Sequence, residues 1–310
     1  MGRRESHLFA YPRPMDHRCL IAGCGYTGLR LARRLQPEWR VTAVAHSETS
    51  AARLAGHGIG TVLADLDAPP LPGCLATVAD GAAVTYLVPP PESGTDDPRL
   101  GRFLAGVGAA RPSVLLYMST TGVYGDTRGA PVTEASPLAP TNDRSRRRVA
   151  AEGAAQDWCA VRQVRCVVLR VPGIYGPHRL PIERLQRGEP ALRAEDAGPG
   201  NRIHVDDLVG ACIAALDRPV SGAFNVTDGN PATTTEFVQR TAALTGLPPP
   251  PLVALADAAG KISPGMLAFL RESRRVDNRR MREELGFEPR YGRLEDGIAA
   301  SLAEMREASG

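Results

Sequence analysis

Short apolar, β-branched runs alternate with segments of helical periodicity through the first 170 residues. Runs at Leu20–Ala22, Val41–Ala45, Thr61–Ala64, Ala83–Val88, Val114–Met118 and Val167–Leu169 read as strands. Helical segments fall between them, near Leu29–Gln36, Ser50–Leu54, Leu100–Ala110 and Asp143–Cys159. Strands alternating with helices predict βαβ units and a parallel sheet covered on both faces. Right-handed crossovers make such a sheet doubly wound, and its ligand then lies at the carboxyl ends of the strands.

After Gly176 the pattern changes: Gly, Pro and Arg increase and the segments shorten. Helical periodicity continues at Asp206–Leu216, Thr235–Leu244, Asp277–Leu285 and Leu294–Arg306, around one strand near Ala223–Val226. Pro248–Pro251 reads as a rigid loop. Residues 1–16 hold Arg3, Arg4, Arg13 and two prolines but no continuous apolar stretch, so they read as a disordered leader rather than a secretory signal. Met15, just before the first strand, is an alternative start.

Composition adds exclusions more than identity. Hydrophobic residues make up 43% and charged residues 23%, as in an ordinary globular chain, and no run reaches the ~18 apolar residues of a membrane helix. The net charge is +3 and the pI near 8.6, below what a dedicated nucleic-acid binder carries. The arginine clusters at 144–148 and 271–282 lack interleaved stacking aromatics and read as solvated faces, so no nucleic-acid partner is expected. Six scattered cysteines (19, 24, 74, 159, 166 and 212) form no CxxC or Cys/His metal spacing. They read as free thiols in a reducing compartment, the cytoplasm. The basic residues are nearly all arginine; Lys261 is the single lysine, so any role that needs a lysine has one candidate.

The most chemically specific stretch is Cys19-Leu20-Ile21-Ala22-Gly23-Cys24-Gly25-Tyr26-Thr27-Gly28. An apolar run, Gly23-x-Gly25-x-x-Gly28 and a helical segment follow in the order that binds a dinucleotide. Gly23 allows the tight turn, Gly25 lets backbone approach a pyrophosphate, and Gly28 lets helix and strand pack closely. The helix N-terminus that follows offers free N–H groups and a positive dipole end, and Tyr26 and Thr27 in the turn join the glycines as cofactor-binding candidates.

Further segments extend this into a family resemblance. Ser119-Thr120-Thr121-Gly122-Val123-Tyr124-Gly125 resembles the S-[ST]-x-x-V-Y-G segment of extended short-chain dehydrogenases/reductases, the NAD-dependent epimerase/dehydratase group. Leu169–Pro177 is similar to that family's LR-x4-YGP segment, Ile203–Leu208 to its IHVDD helix start, and Phe224-Asn225-Val226 to its late strand. With the glycine turn these occur in family order. The resemblance implies a seven-stranded Rossmann sheet, a domain at 17–176 binding NAD(P), and a small C-terminal substrate lobe at 177–310 interleaved with the last strands. It implies an oxidoreductase acting on a sugar nucleotide or a related hydroxyl/carbonyl substrate. A homodimer through Leu100–Ala110 and Asp143–Cys159 is open, although the arginine-dense second helix does not favour an apolar bundle.

The resemblance breaks in two places. Ala22 replaces the first glycine of the family's GxxGxxG, but Gly23 and Gly25 restore a dinucleotide spacing. More seriously, aligning Glu152 with the glutamate that follows the family's Tyr-x-x-x-Lys puts Arg148 at the lysine and Arg144 at the tyrosine. An arginine keeps its proton in a protein, so Arg144 cannot be the general base; Arg148 can still give a ribose a fixed charge and donors. The alternative to an enzyme is therefore a dinucleotide-binding regulator or sensor without chemistry.

The remaining candidates follow from the same alignment. Thr120 matches the hydroxyl that hydrogen-bonds the substrate oxygen, and Tyr124 and Tyr175 are the remaining phenols near the site. Asp65 matches an aspartate that contacts the adenine amino group. His178, after the YGP segment, and Arg202, before IHVDD, are substrate candidates, Arg202 for a phosphate; the segment Pro177–Arg202 is expected to line the substrate pocket. His204, Asp206 and Asp207 are read as a helix start with an Asp cap rather than a metal site. The second strand ends Ala45-His46-Ser47 without the acid that grips the ribose of NAD, and Arg53 follows. That favours NADP, while Glu48 keeps NAD open.

Overall fold

The computed structural model describes residues 17–308. The predicted leader, 1–16, lies outside the described residues. The N-terminal half alternates β1 (Arg18–Ala22), α1 (Tyr26–Leu35), β2 (Arg40–Ala45), α2 (Glu48–Ala55), β3 (Gly60–Leu63), α3 (Cys74–Ala79), β4 (Ala83–Tyr86), α4 (Pro98–Val107) and β5 (Val114–Thr120). Then come β6 (Pro131–Val132), α5 (Asp143–Arg162), β7 (Arg165–Val171), β8 (Gly173–Tyr175), α6 (Ile182–Gln186), β9 (Ala191–Leu192), β10 (Arg202–His204) and α7 (Val205–Asp217). The chain ends with β11 (Gly222–Asn225), α8 (Thr234–Thr245), β12 (Leu252–Val253), α9 (Pro264–Arg271), β13 (Arg275–Val276), α10 (Arg279–Glu283) and α11 (Leu294–Glu307).

Seven strands form one parallel sheet in the order β11-β7-β5-β4-β1-β2-β3. The doubly wound Rossmann architecture is thus present, and β11 brings the C-terminal half back into it. Alternate residues of each strand feed two apolar layers, because side chains alternate across a pleat. Cys19, Ile21, Val114, Leu116 and Met118 meet Leu31, Leu35, Leu208 and Cys212 of α1 and α7. Leu20, Ala22, Leu115 and Tyr117 meet Leu75, Phe103, Ala151 and Ala155 of α3, α4 and α5 on the other face. Both faces being covered explains why the strands read as continuous apolar runs. The order reverses at β1 and β4, where chain leaves in opposite directions and opens a crevice.

Several boundaries differ from the sequence reading. The first helix begins at Tyr26, three residues early, because the glycines that mask its periodicity sit in its opening turn. Strand β4 stops at Tyr86, and β5 runs on to Thr120. The Asp277–Leu285 helix shrinks to α10, since the Asp277 carboxylate accepts the Arg279 N–H (2.7 Å) and turns the chain ahead of it. All six cysteines are free. No helix among the described residues is long and apolar enough to cross a membrane.

Candidate functional site

At the carboxyl end of β1 the chain turns through Gly23, whose φ is +93°. A Cβ there would stand 2.7 Å from the Leu87 carbonyl carbon and the Val88 nitrogen. A Cβ on Gly28 would strike the Gly23 carbonyl oxygen, so these two glycines are demanded by packing. Gly25 is different: a Cβ there would meet nothing within 4 Å. It is the N-cap of α1 and supplies no capping side chain. The first intrahelical bond is Leu29 N–H to Gly25 O at 2.9 Å, so the N–H groups of Tyr26, Thr27 and Gly28 lack helical acceptors. They face a cavity of about 690 Å³ whose walls include Gly23, Gly25, His46, Arg53, Asp65 and Arg148. Open space, free donors and the positive helix end coincide there, an arrangement whose chemistry suits an anion.

The second wall comes from the β2–α2 junction. Ser47 and Ser50 form a capping box (Ser50 N–H to Ser47 Oγ, 3.2 Å; Ser47 N–H to Ser50 Oγ, 3.1 Å), which fixes the start of α2. His46 follows the last residue of β2, and Arg53 reaches back to donate to the Cys24 carbonyl at 3.1 Å. Asp65 lines the cavity beyond β3 and accepts the Asp67 N–H at 2.9 Å. Asp67 is itself paired with Arg99 at 2.6 Å, which holds its carboxyl below the usual range.

Arg148 lines the same cavity from α5. Its Nη1 donates to the Met118 carbonyl (2.8 Å) and the Tyr117 hydroxyl (3.2 Å), so the guanidinium is tied to β5. Burial pushes the Tyr117 phenol up to about 12. Arg144, one turn earlier, is exposed and its side chain makes no hydrogen bond or ion pair among the described residues. Thr120 closes β5, half-buried, with its Oγ1 accepting the Gly122 N–H at 3.2 Å.

Tyr124 is placed elsewhere. It is 1% exposed, and its hydroxyl donates to Asn225 Oδ1 (2.7 Å) and accepts from Arg170 Nη1 (2.9 Å). Arg170 is paired with Glu152 at 2.8 Å, and Glu152 also accepts from Ser119. This buried network ties α5 to β5, β7 and β11 and holds the phenol inside the sheet, away from the cleft. Tyr175 is buried too, with its hydroxyl filling the space left by the absent Cβ of Gly297.

A second cavity of about 650 Å³ lies alongside, between the 178–187 segment, α8 and α9. His178 and Arg202 both line it. Arg202 is not solvated: at 6% exposure it donates to the Ala232 carbonyl (2.5 Å) and Thr234 Oγ1 (3.3 Å), and burial pushes it down to about 10. His178 is exposed, with φ +61°. The expected Asp cap of α7 is a His cap instead: His204 Nδ1 accepts the Asp206 N–H at 3.2 Å. Asp207 turns away to accept from the N–H groups of Arg290 and Tyr291, both at 2.9 Å. Those partners are 83 and 84 residues distant, so no local signal announces them. Arg179, inside the segment expected to line the substrate pocket, lines both cavities, as does Ile174; their place on the glycine-turn cavity had no signal in the sequence.

Comparison with known proteins agrees with this architecture. The family model "NAD dependent epimerase/dehydratase family" matches residues 102–227. A 3-diazoavenalumate denitrifying reductase of a Streptomyces species is 32% identical over 138 residues, 43% of this chain and 45% of the relative. A UDP-glucose 4-epimerase of Mycolicibacterium smegmatis is 28% identical over 209 residues, 63% of each chain. The chain therefore spans less than two thirds of either relative in these matches. The solved structure of a functionally unknown conserved protein from Silicibacter pomeroyi DSS shares 33% identity, covers 93% of this chain and 99% of its own, and superposes with a TM-score of 0.79. The ordered motifs, the seven-stranded parallel sheet and the family match converge: the chain belongs to the NAD-dependent epimerase/dehydratase family.

Proposed function

We propose that the chain binds a nicotinamide dinucleotide in the glycine-turn cleft, NADP in preference to NAD, and acts on a sugar nucleotide or a related hydroxyl/carbonyl substrate in the adjoining cavity. The observation that carries this reading is the uncapped start of α1 facing open space at Gly25. Gly25 gives those donors no side-chain acceptor, and the cavity in front of them leaves room for an anion. Gly23, Gly25, Tyr26, Thr27 and Gly28 would hold the pyrophosphate, Asp65 the adenine end, and Arg148 the nicotinamide ribose. His46 and Arg53 support NADP, since they supply donors and charge where an NAD site keeps a carboxylate. When bound, the cofactor supplies a hydride donor or acceptor.

The protein's own contribution is positioning and fixed charge. Arg148 is locked by two hydrogen bonds, so its guanidinium serves as a fixed, orienting group. Thr120 offers a hydroxyl at the end of β5. Arg202 and His178 frame the substrate cavity. Proton transfer falls to Thr120 or to the substrate's own groups through water. The name of the mycolicibacterial relative, a UDP-glucose 4-epimerase, supports a sugar nucleotide. A homodimer through the outer faces of α4 and α5 belongs to the same reading, and sedimentation checks it.

The exposed, unpartnered Arg144 favours a second reading, a dinucleotide sensor without chemistry. A panel of nucleotide sugars and small hydroxyl and carbonyl compounds, followed at the nicotinamide absorbance, separates the two. Turnover by the wild-type protein sinks the sensor. Tight cofactor binding with no turnover, and activity appearing only in Arg144→Tyr/Arg148→Lys, sinks the enzyme.

A further inference from the structure

Two guanidinium groups share the ring of Tyr26, the first residue of α1. Arg30 lies 4.5 Å and Arg179 3.9 Å from its centroid. Their charges have different fates. Arg30 is paired with Glu304 (2.6 Å) and stands 3.9 Å from Asp206. Arg179 has no acidic partner among the described residues. Arg179 is thus an exposed cation resting over an aromatic ring with no carboxylate to neutralise it, which leaves its charge available to an anion.

Its position is built. Tyr26 donates its hydroxyl to the Pro177 carbonyl at 2.9 Å, and Gly176 (φ +151°) leaves room for that hydroxyl; a Cβ there would sit 2.6 Å from it. His178 takes the left-handed φ of +61°, which side chains seldom adopt. Its N–H points at Met305 Sδ (3.4 Å), and the Arg179 N–H closes on the Gly176 carbonyl (3.0 Å). The chain is thereby bent back so that Arg179 returns to the start of α1. There it lines the cavity that holds the free helix N–H groups and also the second cavity.

We infer that Arg179 is a phosphate clasp: it binds the pyrophosphate of the dinucleotide at the glycine turn and forms part of the common wall between the cofactor and substrate cavities. The inference rests on the cofactor reading above. The helix supplies neutral N–H groups and a partial charge, and Arg179 adds the full charge that a pyrophosphate needs.

The test is a titration of wild type, Arg179→Met and Arg179→Lys with NADPH, NADH and 2′-AMP. Methionine keeps an unbranched, flexible chain and removes the charge; 2′-AMP carries the adenosine and 2′-phosphate but no pyrophosphate. The expected result is NADPH and NADH affinity about 10- to 100-fold weaker in Arg179→Met, partly restored in Arg179→Lys, on the scale of one charged hydrogen-bonding group. Affinity for 2′-AMP and the melting temperature of the free protein should not change. Unchanged NADPH affinity in Arg179→Met overturns the clasp alone. An equal loss for 2′-AMP also overturns it, because the role would then be structural. Failure of wild type to bind either dinucleotide overturns the cofactor reading and the clasp with it.

Discussion

Gly25→Ala separates a glycine kept for a ligand from glycines kept for the fold. At Gly23 an alanine would adopt φ +93° and press its Cβ to 2.7 Å from two backbone atoms of residues 87 and 88. Left-handed strain and overpacking together cost about 2–5 kcal/mol there. At Gly25 the same methyl meets nothing within 4 Å, and the backbone (φ −88°, ψ −139°) is only moderately off the extended region. The folding cost is therefore about 1 kcal/mol. The methyl occupies the space that the bound pyrophosphate needs, however, and lifts it from the N–H groups of the first turn. Losing two charge-assisted bonds of about 1.5–3 kcal/mol each weakens binding by at least about 100-fold. Urea denaturation of Gly23→Ala and Gly25→Ala, with NADPH fluorescence titration of Gly25→Ala, measures both effects. If Gly25→Ala binds NADPH within about threefold of wild type, the assignment of the cleft is refuted.

Other outcomes follow from buried charge and from the cleft walls. Arg170→Met strands the Glu152 carboxylate, whose side chain is 3% exposed, and should cost about 3–5 kcal/mol in urea denaturation. Glu152→Gln/Arg170→Met should recover at least half of that, and a double variant no better than Arg170→Met contradicts the network. Arg53→Ala should weaken NADPH by about tenfold and leave NADH nearly unchanged, the loss of one phosphate-facing charge; equal loss of both removes the basis for NADP. Asp228 is pushed up to about 7 by burial, so the folded protein binds the extra proton between the ordinary carboxylate range and that value. Its contribution to stability should fall as pH rises from about 4 to about 7, by up to about 1.4 kcal/mol per pH unit, and level off above. His204, pushed down to about 4 by burial, contributes the opposite slope across much of that window, so the measured quantity is the difference between wild type and Asp228→Asn. A difference that does not vary with pH would falsify the assignment.

The sheet was legible because β1, β2, β4, β5 and β7 are buried on both faces and carry little but apolar side chains. The ends were less so. Strand β5 continues through Ser119 and Thr120, which look like loop residues until Glu152 and the Gly122 N–H supply their partners. Helix α9 opens on Pro264-Gly265, and α3 is only six residues long, so neither shows a periodicity. The glycine turn was readable since its strand, turn and helix are consecutive. Arg148 could be placed by counting back from Glu152 along one helix. What could not be read depends on distant chain: the Asp207 bonds to residues 290–291, the removal of Tyr124 into the Arg170 network, and the return of Arg179 onto a tyrosine about 150 residues upstream.

The central claim is that the glycine-turn cleft is a working dinucleotide site. Titration of the purified protein with NADPH and with NADH, following nicotinamide fluorescence and thermal stability, tests it most directly. The account predicts saturable binding with NADPH the tighter ligand, and about 2.7 kcal/mol of added stability at a hundred times Kd. No fluorescence change and no stabilisation with either dinucleotide would contradict it.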